Sequence, residues 1–196
     1  MSAEVFTKLT EEKSPEGVLT VAEMLGELHS SSTAECIIET LGDKSRILVT
    51  ESLRDPGNLG TVIRSCYALG IDKLVMTADC ADIYNPKTVR AAMGAIFRLP
   101  TCRVENGELS ACISALRESG RRVFATALSE GALEIGSLRL CRGDCFVIGN
   151  EGHGLSEGVI DACTAPVIIP MREGAESLNA SAAAAICIWE TVRACE

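Results

Sequence analysis

Apolar residues in this chain fall in short runs separated by turn residues and by stretches of helical period. The runs at 46–50, 73–76, 96–99, 122–127, 145–148 and 167–169 predict strands. Asp55-Pro56-Gly57-Asn58 is turn chemistry. A helix is expected over 59–69, with Ile63, Cys66 and Tyr67 near one face and Gly70 as its stop. Asn85-Pro86 opens a second helix over 86–94. Residues 108–118 repeat Leu109, Cys112, Ile113 and Leu116 at the spacing of a buried stripe, and Gly120 ends that helix. Residues 129–142 read as loop, and a last helix follows Ser177 over 178–194. Its Ala182–Ala185 run suits close backbone approach. Strands alternating with helices predict an α/β fold: a mainly parallel sheet with helices on both faces. Ahead of it, Val18–Val21 reads as a lone strand and 22–45 as a linker with a Ser/Thr-rich centre and room for a short helix.

The runs at 145–148 and 167–169 each lead into an irregular loop. Such loops meet at the carboxyl edge of a parallel sheet, where open α/β folds hold ligands. Gly149, Gly152 and Gly154 are either turn glycines or places where backbone approaches a ligand closely. The stretch is neither a Walker loop nor GxGxxG, which disfavours a nicotinamide enzyme. Arg64 is either an exposed helix arginine or a bidentate phosphate ligand on an otherwise apolar helix. Asn58 is a helix cap or a polar group fixing Arg64. Glu151 is a solvated loop carboxylate or a partner of Arg64. Ser177 reads as the N-cap of the last helix, and it and Asn179 are candidates for bonds to substrate or a neighbouring loop. His153 is a weak candidate for a general base.

Composition changes this picture in two places. The net charge is −9 over 196 residues, awkward for a nucleic-acid partner unless cations cluster locally. Lys87, Arg90, Arg54 and Arg64 are candidates for such a cluster. The ten cysteines include no CxxC pair and, with His29 and His153, no spaced zinc set. They read as reduced packing residues, with no metal site expected. No run is long enough to span a membrane and the N-terminus has no leader pattern, so a cytoplasmic protein is expected.

Three motifs in order carry a resemblance. DPGNLGTVIRSCYALG at 55–70, GNEGHGL at 149–155, and IPM at 169–171 followed by SLNAS at 177–181 are similar to motifs 1, 2 and 3 of the SpoU/TrmH-type RNA 2′-O-ribose methyltransferases of the SPOUT superfamily. The resemblance covers about residues 46–194. It implies a catalytic domain over 46–196 with a C-terminal deep trefoil knot, and residues 1–45 as the remnant or linker of a substrate-binding region. It implies S-adenosylmethionine as cofactor, contacted at Gly149, Ile169 and Leu178. It makes Arg64, Asn58, Glu151, Ser177 and Asn179 the catalytic set, an rRNA or tRNA the substrate, and a homodimer through the knot region the working form. Ala92 stands where serine is common in the family. A non-catalytic cofactor- or RNA-binding module of the same fold is the alternative, favoured by the acidic total.

Overall fold

A computed structural model of the chain describes residues 2–10, 17–26, 29–31, 42, 45–172, 174–175 and 177–194. Its elements are α1 (Ala3–Thr10), β1 (His29–Ser31), β2 (Ile47–Thr50), α2 (Pro56–Ala68), β3 (Lys73–Thr77), α3 (Pro86–Ala92), β4 (Thr101–Val104), α4 (Leu109–Glu118), β5 (Val123–Thr126), β6 (Leu133–Glu134), β7 (Cys145–Ile148), α5 (Glu157–Ala162), β8 (Ala165–Ile168) and α6 (Ala180–Arg193). The strands form one sheet in the order β1-β4-β3-β2-β7-β5-β8-β6. Every pairing between these strands is parallel.

Both faces of the sheet are covered, which is why the strands read as unbroken apolar runs rather than alternating ones. Leu48, Leu74, Met76, Phe124, Phe146 and Ile148 point to one core, under α2, α3 and α6. Ile47, Val49, Val75, Val123, Cys145 and Val147 point to the other, where α4 buries Leu109, Cys112, Ile113 and Leu116. The stripe expected on α4 is therefore complete. On α2 the buried residues are Leu59, Gly60, Val62, Ile63 and Cys66, whereas Tyr67, expected on that face, is 47% exposed.

The element ends follow local chemistry. Helix α2 begins three residues earlier than expected, because Asp55 is its N-cap and Pro56 occupies the first turn, where a missing N–H costs nothing. Asn58 is thus inside the helix, its N–H donating to Asp55 Oδ1 at 2.8 Å. Gly60 lets α2 and α3 approach: a Cβ there would lie 2.4 Å from the Thr88 carbonyl oxygen. The run at 96–99 is not a strand. Residues Ala95–Phe97 form a 3-10 turn after Met93 and Gly94, both left-handed, and the strand begins beyond Pro100 at Thr101. Val18–Val21 forms no strand. Within the expected linker, His29–Ser31 pairs with Thr101–Arg103 at the sheet edge. Of the Ser/Thr-rich centre, Ser30 and Ser31 belong to this strand, and Ser32 and Thr33 lie outside the described residues. Residues 129–142 hold the two-residue β6 and a 3-10 turn at Ile135–Ser137.

Of the eight described cysteines, none is in a disulfide, seven are buried and Cys141 is exposed. Burial pushes the Cys112, Cys145, Cys163 and Cys187 thiols up to about 12. No helix among the described residues is long and apolar enough to cross a membrane.

Candidate active site

The site lies at the carboxyl ends of β7, β8 and β5. Strand β7 ends at Ile148, and the loop after it folds back on itself. Asn150 and Gly154 exchange backbone hydrogen bonds at 3.0 and 2.9 Å. A Cβ on Gly149 would sit 2.4 Å from the Gly154 carbonyl carbon and 2.7 Å from Leu155 N. Glycine at 149 is therefore required by the loop's own closure. At Gly154 the requirement is conformational, since φ is +68°.

Asn150, which the motif reading passed over, organises this loop. Its Oδ1 accepts from Gly152 N at 2.8 Å and His153 N at 3.3 Å, and its Nδ2 donates to the Ser52 carbonyl at 2.8 Å. Ser52 itself has φ +54°, rare for a residue with a Cβ. It is pinned there by its N–H to Thr77 Oγ1 at 2.8 Å and its hydroxyl to Asp79 Oδ2 at 2.6 Å. Burial works to raise the Asp79 pKa, but the bonds from Ser52, Thr77 and Arg54 outweigh it and hold the carboxyl below its ordinary value. The loop's far end is tied to β2 as well: Glu51 accepts from Ser156 N at 2.8 Å and Ser156 Oγ at 2.6 Å. That bond diverts the Ser156 side chain from capping α5, a helix of six residues with only Val159 buried. Six residues with one buried side chain present no stripe, so Ser156 before Glu157 was the one sequence signal for it.

Between this loop and the segment after β8 lies a cavity of about 380 Å³. Small-molecule sites run roughly 300–1,000 Å³. Gly149, Ile169, Leu178 and Ser177 line it, as do Glu151 and His153. So do Thr126 at the end of β5, Leu128 beyond it and Ile160 of α5, none of which the sequence patterns marked as site residues. Apolar walls from Leu155, Val167, Ile169 and Leu178 suit a flat aromatic ring, and backbone groups of the two loops can read its edges. Glu151 adds a carboxylate to the wall, which would suit a cationic ligand. These residues fit S-adenosylmethionine. Among the described residues no group of three or more His, Cys, Asp or Glu side chains is placed to hold a metal.

At the cavity mouth three chain segments meet through amides. Asn58 Nδ2 donates to Glu151 Oε1 at 2.5 Å, and Asn179 Nδ2 donates to Asn58 Oδ1 at 3.0 Å. Asn179, not Ser177, caps α6: its Oδ1 accepts from Ser181 N at 3.0 Å and Ala182 N at 3.3 Å. Ser177 sits two residues too early and faces the cavity instead. On the other side of Asn58, Lys87 Nζ donates to Asp55 Oδ2 at 2.8 Å. That bond, with the N–H of Asn58, holds the Asp55 carboxyl below its usual range. Glu151 is thus bonded to Asn58 and not to Arg64. Arg64 stands exposed on α2, outside the cavity lining, with no hydrogen bond or ion pair to a described residue. The expected cationic cluster is partly neutralised, since Lys87 pairs with Asp55 and Arg54 with Asp79.

A parallel sheet with a glycine-turned loop and a capped helix closing one ligand cavity defines a nucleotide-cofactor-binding α/β domain. Comparison with known proteins narrows this. Residues 45–189 match the model of the SpoU rRNA Methylase family, and the chain belongs to that family. Over 189 residues it is 31% identical to the 23S rRNA (guanosine(2553)-2′-O)-methyltransferase RlmP of Bacillus subtilis, covering 96% of this chain and 70% of the relative. Over 140 residues it is 38% identical to the 23S rRNA (uridine(2479)-2′-O)-methyltransferase of Streptomyces viridochromogenes, covering 70% of this chain and 49% of the relative. The AdoMet-bound rRNA methyltransferase structure from Sinorhizobium meliloti superposes with a TM-score of 0.84 at 27% identity, over 98% of this chain and 70% of that one. The chain thus spans about half to 70% of these relatives' lengths.

Proposed function

We propose that this chain transfers the methyl group of S-adenosylmethionine to a ribose 2′-hydroxyl of RNA, with ribosomal RNA as the favoured substrate. The observation that carries the reading is the Asn58–Glu151–Asn179 cluster at the mouth of a cofactor-sized cavity. Two of the relatives are named as 2′-O-methyltransferases of 23S rRNA, which supports the choice of RNA. When bound, the cofactor supplies an electrophilic methyl on a sulfonium. Gly149, Ile169 and Leu178 hold it through backbone and apolar contacts. Asn58, Glu151 and Asn179 keep the three loops in register, and Ser177 offers a hydroxyl to the entering ribose.

Arg64 is the group we assign to the RNA. A guanidinium stays protonated and is a poor base. It binds the phosphate beside the target ribose and stabilises charge on the 2′-oxygen as its proton passes to that phosphate. Arg64 stands outside the cavity of one copy, so we assign the working form as a homodimer whose second subunit completes the site. Trp189 on α6 is 53% exposed and Tyr67 on α2 is 47% exposed, on two helices that pack together, which supports a partner on this face. The family's trefoil knot belongs to the same reading, supported by two loops converging on one cavity and by α6 packing back on β7 and α2. Unpaired buried cysteines support a reducing, cytoplasmic setting. The test is transfer of labelled methyl from the cofactor to ribosomal RNA, followed by nucleoside mass spectrometry. A 2′-O-methylated nucleoside is expected; a base-methylated one, or none, overturns the reading.

A further inference from the structure

Helix α3 and the turn after it form a cationic strip on an acidic protein. The chain carries a net charge of −9, yet no Asp or Glu occurs between Asp82 and Glu105, a stretch that holds Lys87, Arg90, Arg98 and Arg103. Arg103 is spent on structure, donating to the Cys80 and Ala81 carbonyls. Lys87, Arg90 and Arg98 are exposed. Two large apolar side chains are exposed among them: Met93 at 71% and Phe97 at 60%. Lys87 and Arg90 are three residues apart, which places them on one side of α3, and Met93 caps the end of that helix. Phe97 follows on a 3-10 turn whose other two residues, Ala95 and Ile96, are buried. Met93 has φ +49°, a conformation disfavoured for a side chain of its size. Strain of this kind gathers at working surfaces.

The strip is also anchored to the candidate site. Gly60 brings α3 against α2, and Lys87 reaches Asp55, whose other oxygen receives the N–H of Asn58. It therefore begins beside Asn58, whose amide is bonded to Glu151 of the cavity wall, and continues to Phe97. Interleaved aromatic and basic groups are what a single strand of RNA needs: a face for a base to stack on, and cations for the phosphates at either side.

We infer that α3 and the turn at Ala95–Phe97 form a track for the single-stranded RNA that flanks the methylated nucleotide, with Phe97 stacking on a base and Lys87, Arg90 and Arg98 meeting phosphates. This rests on the proposed RNA methyl transfer and says which surface receives the strand. Exposed basic groups with an exposed aromatic ring set among them, in a stretch with no Asp or Glu, favour a polyanion that also stacks, which a single strand of RNA is.

The experiment measures anisotropy of a fluorescein-labelled twelve-nucleotide oligouridylate with the full chain and its Phe97→Ala, Phe97→Trp and Arg98→Gln variants at several salt concentrations. Cofactor uptake by calorimetry, mass by light scattering and methyl transfer to ribosomal RNA are followed alongside. Phe97→Ala is expected to weaken the oligonucleotide roughly five- to hundred-fold, Phe97→Trp to retain it, and Arg98→Gln to lower the salt slope by about one, with cofactor uptake unchanged. Wild-type affinity in Phe97→Ala overturns the track and leaves the methyltransferase reading standing if methyl transfer persists. A change in mass without a change in RNA affinity overturns it in favour of a second copy. Absence of both RNA binding and methyl transfer in the wild type overturns the track together with the reading beneath it.

Discussion

Asn58 and Glu151, 93 residues apart in the chain, are joined at 2.5 Å by an amide-to-carboxylate hydrogen bond. The bond ties the first turn of α2 to the loop after β7, and Asn179 extends it to the start of α6. The loop after β7 and the start of α6 line one cavity and α2 is tied to both, so the bond bears on whether that cavity is closed or slack.

The bond has a direction that can be swapped. Asn58→Asp sets two acceptors against each other. Cofactor affinity should fall about tenfold, in line with the roughly 1–2 kcal/mol of a hydrogen bond to a charged group at a partly exposed site. Pairing it with Glu151→Gln restores a donor on the opposite side, while the bond from Asn179 to position 58 survives. The double variant should therefore regain most of the loss in calorimetric titrations. An additive loss would show that the two side chains act independently.

Gly149 should tolerate no side chain. In Gly149→Ala the new methyl meets backbone, which cannot rotate away, so the loop must open. Overpacking of this kind costs about 1–3 kcal/mol. The expected result is a lower melting temperature with cofactor uptake weakened more than tenfold. Gly152→Ala is the control: its Cβ would come no closer than 3.4 Å, to Asn150 Oδ1, and uptake should change far less.

How much of this was legible beforehand differs by element. Strands buried on both faces announce themselves, because Ile47–Thr50 and Cys145–Ile148 can hold nothing polar beyond a threonine. Helix α4 is equally plain, since its stripe faces one core. The run Ile96–Leu99 misled because a buried 3-10 turn and a buried strand have the same composition at that length; only the left-handed pair Met93 and Gly94 separates them. Candidate residues Gly149, Ile169, Ser177 and Leu178 do meet at one cavity, and Asn58, Glu151 and Asn179 do bond to one another. Their wiring was not readable. A cap and a loop bond use the same residue types, so Asn179 and Ser177 could be distinguished only by geometry, as could Asn58 and Arg64 as the partner of Glu151. Asn150 was missed because its role lies wholly in backbone contacts.

The carboxylates predict the acid limb of stability. Asp55 and Asp79 both have folded pKa values below their ordinary ones. Such groups contribute stability that is full above the unfolded value, near 3.8, and is lost as pH falls through the folded one. Melting temperature should thus hold from neutral pH to about 5 and decline below 4. In Asp79→Asn that decline should be shallower. Its melting temperature at pH 7 should also be lower, since Ser52 loses the charged acceptor that pins its φ of +54°. An unchanged acid limb in Asp79→Asn would place the transition elsewhere.

Thiol reactivity should follow burial. With Cys112, Cys145 and Cys187 pushed up to about 12 and enclosed, iodoacetamide at pH 8 should spare them in the native protein while labelling Cys141, the one exposed thiol among the described residues. Peptide mass spectrometry reads the difference. Early labelling of Cys145 would mean that the sheet opens at β7.

Arg64 separates binding from chemistry most sharply. It is exposed and makes no hydrogen bond or ion pair with a described residue, so Arg64→Ala should leave stability within about 0.5 kcal/mol. Cofactor uptake should be unchanged for the same reason, since Arg64 does not line the cavity. Methyl transfer should nevertheless fall at least 100-fold, the usual scale for losing a group that stabilises developing charge. Arg64→Lys keeps the charge and loses the two-pronged geometry, so its rate should lie between the two. Full activity in Arg64→Ala would leave the cavity and its cofactor intact as a reading, and would move the task of orienting the ribose to Ser177 or Glu151.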